Sequence, residues 1–488
     1  MVVNSYSFLL FFVVVFFVYY LPICQKTPRF QNTWLLLVSY FFYGYADWQM
    51  IPLLLGATVV FWLMGQWLKR MMDQGRKKAA SRITTFSVVL GVGLLLYFKY
   101  LNFFAESLAE LLQAFGLQVS WSTLNIILPI GVSFFTFKLI SYIIEIHREH
   151  IQPCSDLTEF AAYIAFFPTI LSGPIDRPDK FLPQMKQVHT LDYTLAADGC
   201  RQILWGMFTK MCIADNLAII TNQAWAGYDH LPSTMLLIAA LLYPIQLYAD
   251  FDGYSNMAIG VGKLLGYRVN RNFNHPFLAR NMAEYWRRWH MSLTGWITDY
   301  VFMPLNIAFR NIGNWGIVMA ALINLIIIGL WHGANWTYGV FGLYHGLLFI
   351  PLILSGSFGK NKKLKENSHG LPFLKDFGKM AGTLCLVAIG HVIFRANTIG
   401  EAVSFMQALV TNGFSGGSII DSYGLLYIGF AILLLLVEWI QRKEEHALQL
   451  QKFQLFSSQA VRFAFYLFII LLILTFTGKS QAFIYFQF

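Results

Sequence analysis

The chain has 488 residues, of which 57% are hydrophobic and 12% charged. Soluble proteins carry roughly 25% charged residues, so a soluble globular domain is excluded. The formal charge of +10 fits basic loops flanking membrane spans better than a nucleic-acid partner, and five cysteines without CxxC spacing give no zinc site or disulfide framework.

In chain order, SFLLFFVVVFFVYYL (7–21) predicts a first membrane span. No Lys or Arg precedes Lys26, so the run lacks the positive n-region of a signal peptide and reads as a retained span. TWLLLVSYFFYGY (33–45) predicts the next, followed by a basic loop with Lys69, Arg70, Arg76, Lys77, Lys78 and Arg82. Placing that loop in the cytoplasm puts Lys26 and Arg29 there and the N-terminus outside. Residues 1 to about 120 read as simple spans. From about 121 to 355 polar groups sit in apolar context, the setting in which ionisable residues mark function, and this stretch is the expected catalytic core of a single domain over 1–488. Residues 380–488 return to simple spans such as YGLLYIGFAILLLLVEWI (423–440) and FYLFIILLILTF (465–476), and the polar GSFGKNKKLKENSHG (356–370) reads as a cytoplasmic loop. The fold class is all-α, a polytopic integral membrane protein of about ten to twelve spans. Segments broken by Pro and Gly read as re-entrant, and such backbone must be buried in protein or face water.

Several apparent motifs carry little. Gly413-Phe-Ser415-Gly-Gly417 matches a nucleophile elbow, which needs a strand–turn–helix setting. Gly478-Lys479-Ser480 resembles the end of a phosphate-binding loop, but Ile473 stands where the upstream glycine is required. Gly260, Gly262 and Gly266 are spaced for helix packing. His147 and His150, in EIHREH, read as a solvated helix end.

The dense stretch is 243–300. Asp250 and Asp252 follow an apolar run. Asn281 and Glu284 form a capping-box pattern. A helix from there places Tyr285, Trp289, Leu293 and Trp296 on one face, with His290 on the same helix. Glu284 has ion-pair spacing to Arg287 and Arg288. This helix reads as amphipathic and interfacial, its arginines reaching phosphates. Farther on, Gly-Leu-Trp-His-Gly-Ala-Asn-Trp (329–336) places His332 in an apolar run. A buried imidazole needs a partner or a water-filled cavity. His332 is therefore either a hydrogen-bonded structural histidine or the base of a buried reaction chamber, since neutral imidazole accepts protons near pH 7. His345 reads as packed and hydrogen-bonded.

EYWRRWHMSL (284–293) and WHGANW (331–336) resemble the signature pair of the membrane-bound O-acyltransferase family, nearest its alginate O-acetyltransferase branch. FFYGYADW (41–48), FKYLNFF (98–104), LPIGVSFFTFKLISYIIEIHR (128–148), FFPTILSGPIDRPDKFLPQ (166–184), YADFDGYSNMAIGVGKLLGY (248–267), VIFRAN (392–397) and FIYFQF (483–488) extend the resemblance over nearly the whole chain. It implies a ring of transmembrane and re-entrant helices around a central tunnel. It also implies a multi-pass protein of the cytoplasmic membrane that passes an acyl group from a cytoplasmic thioester, acetyl-coenzyme A or another, to an acceptor outside. His332 would be the catalytic histidine and His290 the second functional one, with no metal or bound cofactor. With a coenzyme A donor Arg287 and Arg288 would meet its phosphates, Asn335 or the backbone amides near Gly333 would polarise the thioester carbonyl, and Trp331 and Asp252 would contact substrate; alternatively Asp250 and Asp252 pair with the arginines. Membrane lipid and a separate extracytoplasmic transferase of the SGNH-hydrolase type are the implied partners. D-alanyl transfer within the same family, or a transporter with the two histidines as a proton relay, are the competing readings.

Overall fold

In lipid every backbone N–H and C=O must be satisfied within the protein, which an apolar helix does inside its own segment. In a computed structural model of the chain, helices accordingly supply the regular structure of the described residues, which are 1, 3–117, 126, 128–359, 374–478, 481 and 483. Nine helical segments among them are long and apolar enough to cross a membrane: Pro28–Asp73, Lys77–Ala114, Tyr193–Ala226, Ser233–Leu264, Asn314–His332, Trp336–Leu354, Leu374–Arg395, Ser422–Gln441 and Gln459–Phe476. The chain is a multi-pass membrane protein. The first apolar run folds as Tyr6–Tyr19, 14 residues. At 1.5 Å per residue it is about 21 Å long, short of the ~30 Å hydrocarbon core.

The residues fall into two compact units. The first comprises Met1–Cys200 with Ala258–Asn270. Here Thr27 caps the Pro28–Asp47 helix, its side chain accepting from the Phe30 N–H. The Val132–His147 helix is buried almost throughout, and its Lys138 donates to the Thr169 hydroxyl at 3.1 Å and the Tyr163 carbonyl at 3.3 Å. At its end His150 lies 2.7 Å from the Glu145 carboxylate, with its own side chain exposed. Gly260 and Gly262 are helical residues, and Gly262 lets Val269 pack on the backbone.

The second unit comprises Arg201–Met257 with Arg271–Phe488. Its centre is a helical hairpin, Asn314–His332 followed by Trp336–Leu347. The two helices approach backbone to backbone. A Cβ on Gly329 would stand 2.1 Å from the Tyr338 carbonyl, and one on Gly342 would stand 2.3 Å from that of Leu325. Any larger residue at either position would force the hairpin open. Ser415 lies in coil between the helices Ile399–Thr411 and Ser422–Gln441, so the elbow setting is missing. Most of the predicted cytoplasmic loop 356–370, most of GKS, and FIYFQF apart from Phe483 lie outside the described residues.

Candidate active site

His332 is the last residue of its helix because the chain turns extended at Gly333 (φ −167°, ψ 159°). The next helix is started by Asn335, whose side chain accepts from the Thr337 N–H at 2.9 Å. This sharp turn leaves the His332 ring buried among aromatic rings, with centroids 5.3 Å from Trp331, 5.3 Å from Phe394 and 6.2 Å from His290.

His290 arrives from a broken helix. The continuous helix expected through 282–297 is two short ones, Met282–Trp286 and Met291–Ile297. His290 stands at the break in a left-handed conformation, φ 44° and ψ 52°. Tyr285, Trp289, Leu293 and Trp296 are all buried, so the stretch is interior and not an interfacial amphipathic helix. The break swings the His290 ring onto Phe251 at 4.7 Å and Trp331 at 5.6 Å. Burial pushes this imidazole down to about 3, so it is neutral at physiological pH.

The charged residues pair only in part as expected: Glu284 does meet Arg288, but Arg287 and the aspartates find other partners. Asn281 caps its helix, accepting from the Glu284 N–H at 2.9 Å. The Glu284 carboxylate reaches one residue farther back than a capping box requires. It accepts from the Arg280 N–H and guanidinium, both at 3.1 Å, and from Arg288 at 3.0 Å. Burial opposes ionisation of Glu284, but the bonds from Arg280 and the charges of Arg288 and Arg280 outweigh it and hold the carboxyl below its ordinary range. Arg287 instead donates to the Phe358 carbonyl at 3.3 Å and is exposed. Neither aspartate pairs with these arginines. Asp250 binds Lys210 at 2.6 Å, and Lys210 also binds Asp215 at 2.7 Å, a buried triad. Asp252 accepts from the Asn256 amide at 2.7 Å. The physical reason is reach: Lys210 projects from the neighbouring helical segment straight at Asp250, and Glu284 already occupies Arg288.

Two cavities flank the histidines. One, about 520 Å³, is lined by Trp286, Arg287, Met291, Thr298, Asp299, Phe302, Asn324, Ile328, Phe349 and Phe358. It reaches the cluster through Met291, which follows His290. The other, about 190 Å³, is lined by Lys210, Asp215, Asn222, Tyr243, Gln246, Asp250, Asn335, Tyr338, Phe394, Arg395, Asn397 and Gln481. It reaches the cluster through Phe394, against His332. Arg280, braced with Arg288 beside the large cavity, lies within electrostatic range of Asp376 near the start of the Leu374–Arg395 helix. Arg395, at that helix's other end, lines the small cavity. This 22-residue helix is about 33 Å long, membrane length, so Asp376 and Arg395 lie toward its opposite ends.

Comparison with known proteins fits this arrangement. Residues 135–365 match the membrane-bound O-acyltransferase family. A probable alginate O-acetylase of Pseudomonas aeruginosa is 37% identical over 420 residues, covering 85% of this chain and 75% of that protein. The chain belongs to the membrane-bound O-acyltransferase family. A Helicobacter pylori peptidoglycan O-acetyltransferase is 29% identical, covering 84% and 80% of the two chains. A Streptococcus thermophilus teichoic acid D-alanyltransferase is 34% identical over 48% of this chain and 58% of its own. Membership makes the protein an acyltransferase, so acyl transfer and not transport is its reaction class.

Within this acyltransferase the remaining predicted residues are placed as follows. Trp331 is buried and packs edge-on against both histidine rings. Asn335 lines the small cavity, yet both ends of its amide are used: the oxygen caps a helix and the nitrogen donates to the Asn397 carbonyl at 2.8 Å. Asp252 lines neither cavity. His345 is fully buried against Phe341 and Trp286 as expected, but neither ring nitrogen has a hydrogen-bond partner among the described residues. Sequence reasoning missed Lys210, Asp215 and Arg395. A signal existed for the first two: a lone lysine and aspartate inside the apolar run FTKMCIADNLAII (208–220) mark a functional or paired site in a membrane.

Proposed function

We propose that the protein is an O-acetyltransferase of the cytoplasmic membrane, passing an acetyl group from a cytoplasmic thioester toward an extracytoplasmic polysaccharide. The observation that carries this reading is the buried His290–Trp331–His332 cluster, with an apolar cavity on one side and a polar one on the other. The large cavity lies by the Phe358 end, where the Lys-rich segment 360–379 begins. The positive-inside rule makes that the cytoplasmic side. The thioester arm of acetyl-coenzyme A or a similar donor enters there. Arg287 meets its phosphate, being exposed and bound among the described residues to the Phe358 carbonyl, whereas Arg288 is held by Glu284.

The acceptor hydroxyl approaches through the small polar cavity. His332 takes its proton, and the oxygen attacks the thioester carbonyl carbon. The tetrahedral adduct collapses, the C–S bond breaks, and His332 returns the proton to the departing sulfur. A thioester is already activated, so base catalysis worth about 10²–10⁴-fold and orientation in one chamber suffice without a metal or bound cofactor. Neutral His290 serves as a hydrogen-bonding group beside the reacting carbonyl. The acceptor belongs to an extracytoplasmic transferase of the SGNH-hydrolase type, which hands the acetyl group to the glycan. The names of the alginate and peptidoglycan relatives favour acetyl transfer over the D-alanyl alternative.

The test is complementation of a deletion strain. His332→Ala should reach the membrane at the wild-type level and leave the envelope glycan unacetylated; normal acetylation overturns the proposal. Radiolabelled acetyl-coenzyme A, supplied to wild-type membranes with the partner present, should place label on glycan.

A further inference from the structure

We propose that Asn272 is a positioning residue for His290, holding the left-handed turn that aims the His290 ring at Trp331 and His332. The inference rests on the reading of His290 as part of the acyl-transfer site. A non-glycine residue in the left-handed region persists only where its surroundings over-determine it. Here they do so on both sides.

Residues 272–274 run beside 288–292 as a clasp. The Met291 N–H donates to the Asn272 carbonyl at 2.7 Å, and the Asn274 N–H donates to the Arg288 carbonyl at 3.0 Å. The Arg288 guanidinium returns a bond to the Asn274 carbonyl, also at 3.0 Å. The His290 carbonyl accepts from the Thr294 N–H at 2.9 Å and its hydroxyl at 3.1 Å. The backbone is therefore pinned before, at and after His290.

Asn272 adds a second tie through its side chain. The Ser292 hydroxyl donates to its amide oxygen at 2.5 Å, and its amide nitrogen donates to the Ser255 hydroxyl at 2.9 Å. Ser255 lies one turn after Phe251 on the Ser233–Leu264 helix, and Phe251 is the ring against which His290 packs. Asn272 thus joins the two residues that follow His290 to the helix that forms the wall behind the His290 ring, while Asn274 holds the residue before the turn. It is fully buried, so water cannot replace these bonds, and an unsatisfied group is left behind when they are cut.

A purely structural asparagine predicts loss of folded protein and nothing more. A positioning asparagine predicts loss of activity per folded molecule, because misplacing a reacting group by about 1 Å costs on the order of 100-fold. The experiment expresses full-length variants in the deletion strain. Acetyl groups on the glycan are counted per folded molecule, with folding read by gel filtration in detergent. Asn272→Ala should lose at least about tenfold, and Ser292→Ala should lose less in the same direction. Gln202→Ala, which removes a buried side-chain bond to Asn256 elsewhere in this unit, should keep wild-type acetylation per folded molecule. With acetyl-coenzyme A as the probe, kcat should fall in Asn272→Ala while KM holds. Wild-type acetylation per folded Asn272→Ala, or a rise in KM alone, overturns the proposal. If Asn272→Ala fails to accumulate, Ser292→Ala is judged by the same two criteria. An inactive His290→Ala beside a fully active Asn272→Ala overturns the clasp alone, whereas a fully active His290→Ala overturns the reading of the site as well.

Discussion

The two cavities of the second unit are built from opposite materials. The large one is walled by Trp286, Phe302, Ile328, Phe349 and Phe358, with Arg287 as its exposed cation. The small one is walled by Lys210, Asp215, Asp250, Asn222, Gln246 and Arg395. In the proposed reading the apolar walls take the acyl thioester arm, with little dependence on its detailed shape. Polar walls in a membrane persist only when nearly every group is paired, and here the pairing is done by a Lys–Asp–Asp triad. The difference teaches that the two sides fail in different ways: the polar side should lose stability when a single charge is removed, and the apolar side should lose donor affinity.

The largest expected effect is on the polar side. Lys210→Met leaves Asp215 and Asp250 buried without their cation. Breaking a buried pair from one side costs about 3–5 kcal/mol, so the variant should show a sharply lowered thermal midpoint in detergent. The matching change on the other side, Arg287→Gln, removes an exposed group and should leave the midpoint unchanged. Equal midpoints for the two variants would break the comparison.

A smaller effect separates the histidine cluster from both cavities. His290 is held neutral by burial, at about 3 against an ordinary value near 6.5. Above pH ~6.5 both folded and unfolded forms are neutral and nothing depends on pH. As pH falls below that value the unfolded chain takes up a proton that the fold refuses, so stability declines until about pH 3. At pH 5 the loss is on the order of 2 kcal/mol. Glu284 has the usual carboxylate sign. Its contribution is intact above its ordinary range and fades only as pH falls through its lowered folded value, so it does not obscure the interval from pH 6.5 to 5. His290→Gln should flatten thermal midpoint against pH in that interval, and an unchanged slope would remove the neutral-imidazole argument.

These effects also mark what sequence alone could reach. The burial of His332 was legible because it stands within an apolar run, and Asn281 as a cap was legible because capping is local. The break at 287–290 was not. Nothing in Arg-Arg-Trp-His forbids a helix, and the interruption is imposed by hydrogen bonds from residues 272 and 274. Asp250 was recognised as unusual but matched to the wrong cations, since its partner lies forty residues earlier and meets it only after two helical segments pack. The side chains that close the small cavity, Phe394, Arg395 and Asn397, lie beyond the expected core of about 121–355, because a cavity wall is assembled by packing and not by sequence proximity.

On the apolar side, Arg287→Gln should raise the half-saturating concentration of a phosphate-bearing donor about tenfold with kcat unchanged, the behaviour of a group that binds ground and transition state equally. A tenfold change is about 1.4 kcal/mol, within reach of one charge-assisted hydrogen bond. Arg288→Gln should behave differently, lowering the thermal midpoint through Glu284. Identical kinetics for the two variants would show that the side-chain partners of Arg287 and Arg288 do not separate their roles.

The smallest effect decides what Asn335 does on the polar side. If it polarises the thioester carbonyl, Asn335→Ala should cost about 10²–10³ in kcat, as loss of an oxyanion-stabilising donor does. The geometry argues against this. Its oxygen accepts from the Thr337 N–H and one of its two amide hydrogens is held by the Asn397 carbonyl, so the amide is fixed in the cap and cannot swing to follow a charge that develops during the reaction. Asn335→Ala should therefore cost about 1 kcal/mol of stability, the usual value for a lost N-cap, and leave acetylation per folded molecule near the wild-type level. Asn335→Ser, which keeps an oxygen at the cap, should recover most of that stability. A kinetic loss without a stability loss would move Asn335 from the wall of the small cavity into the reaction itself, and the polar side would then supply chemistry as well as a path for the acceptor.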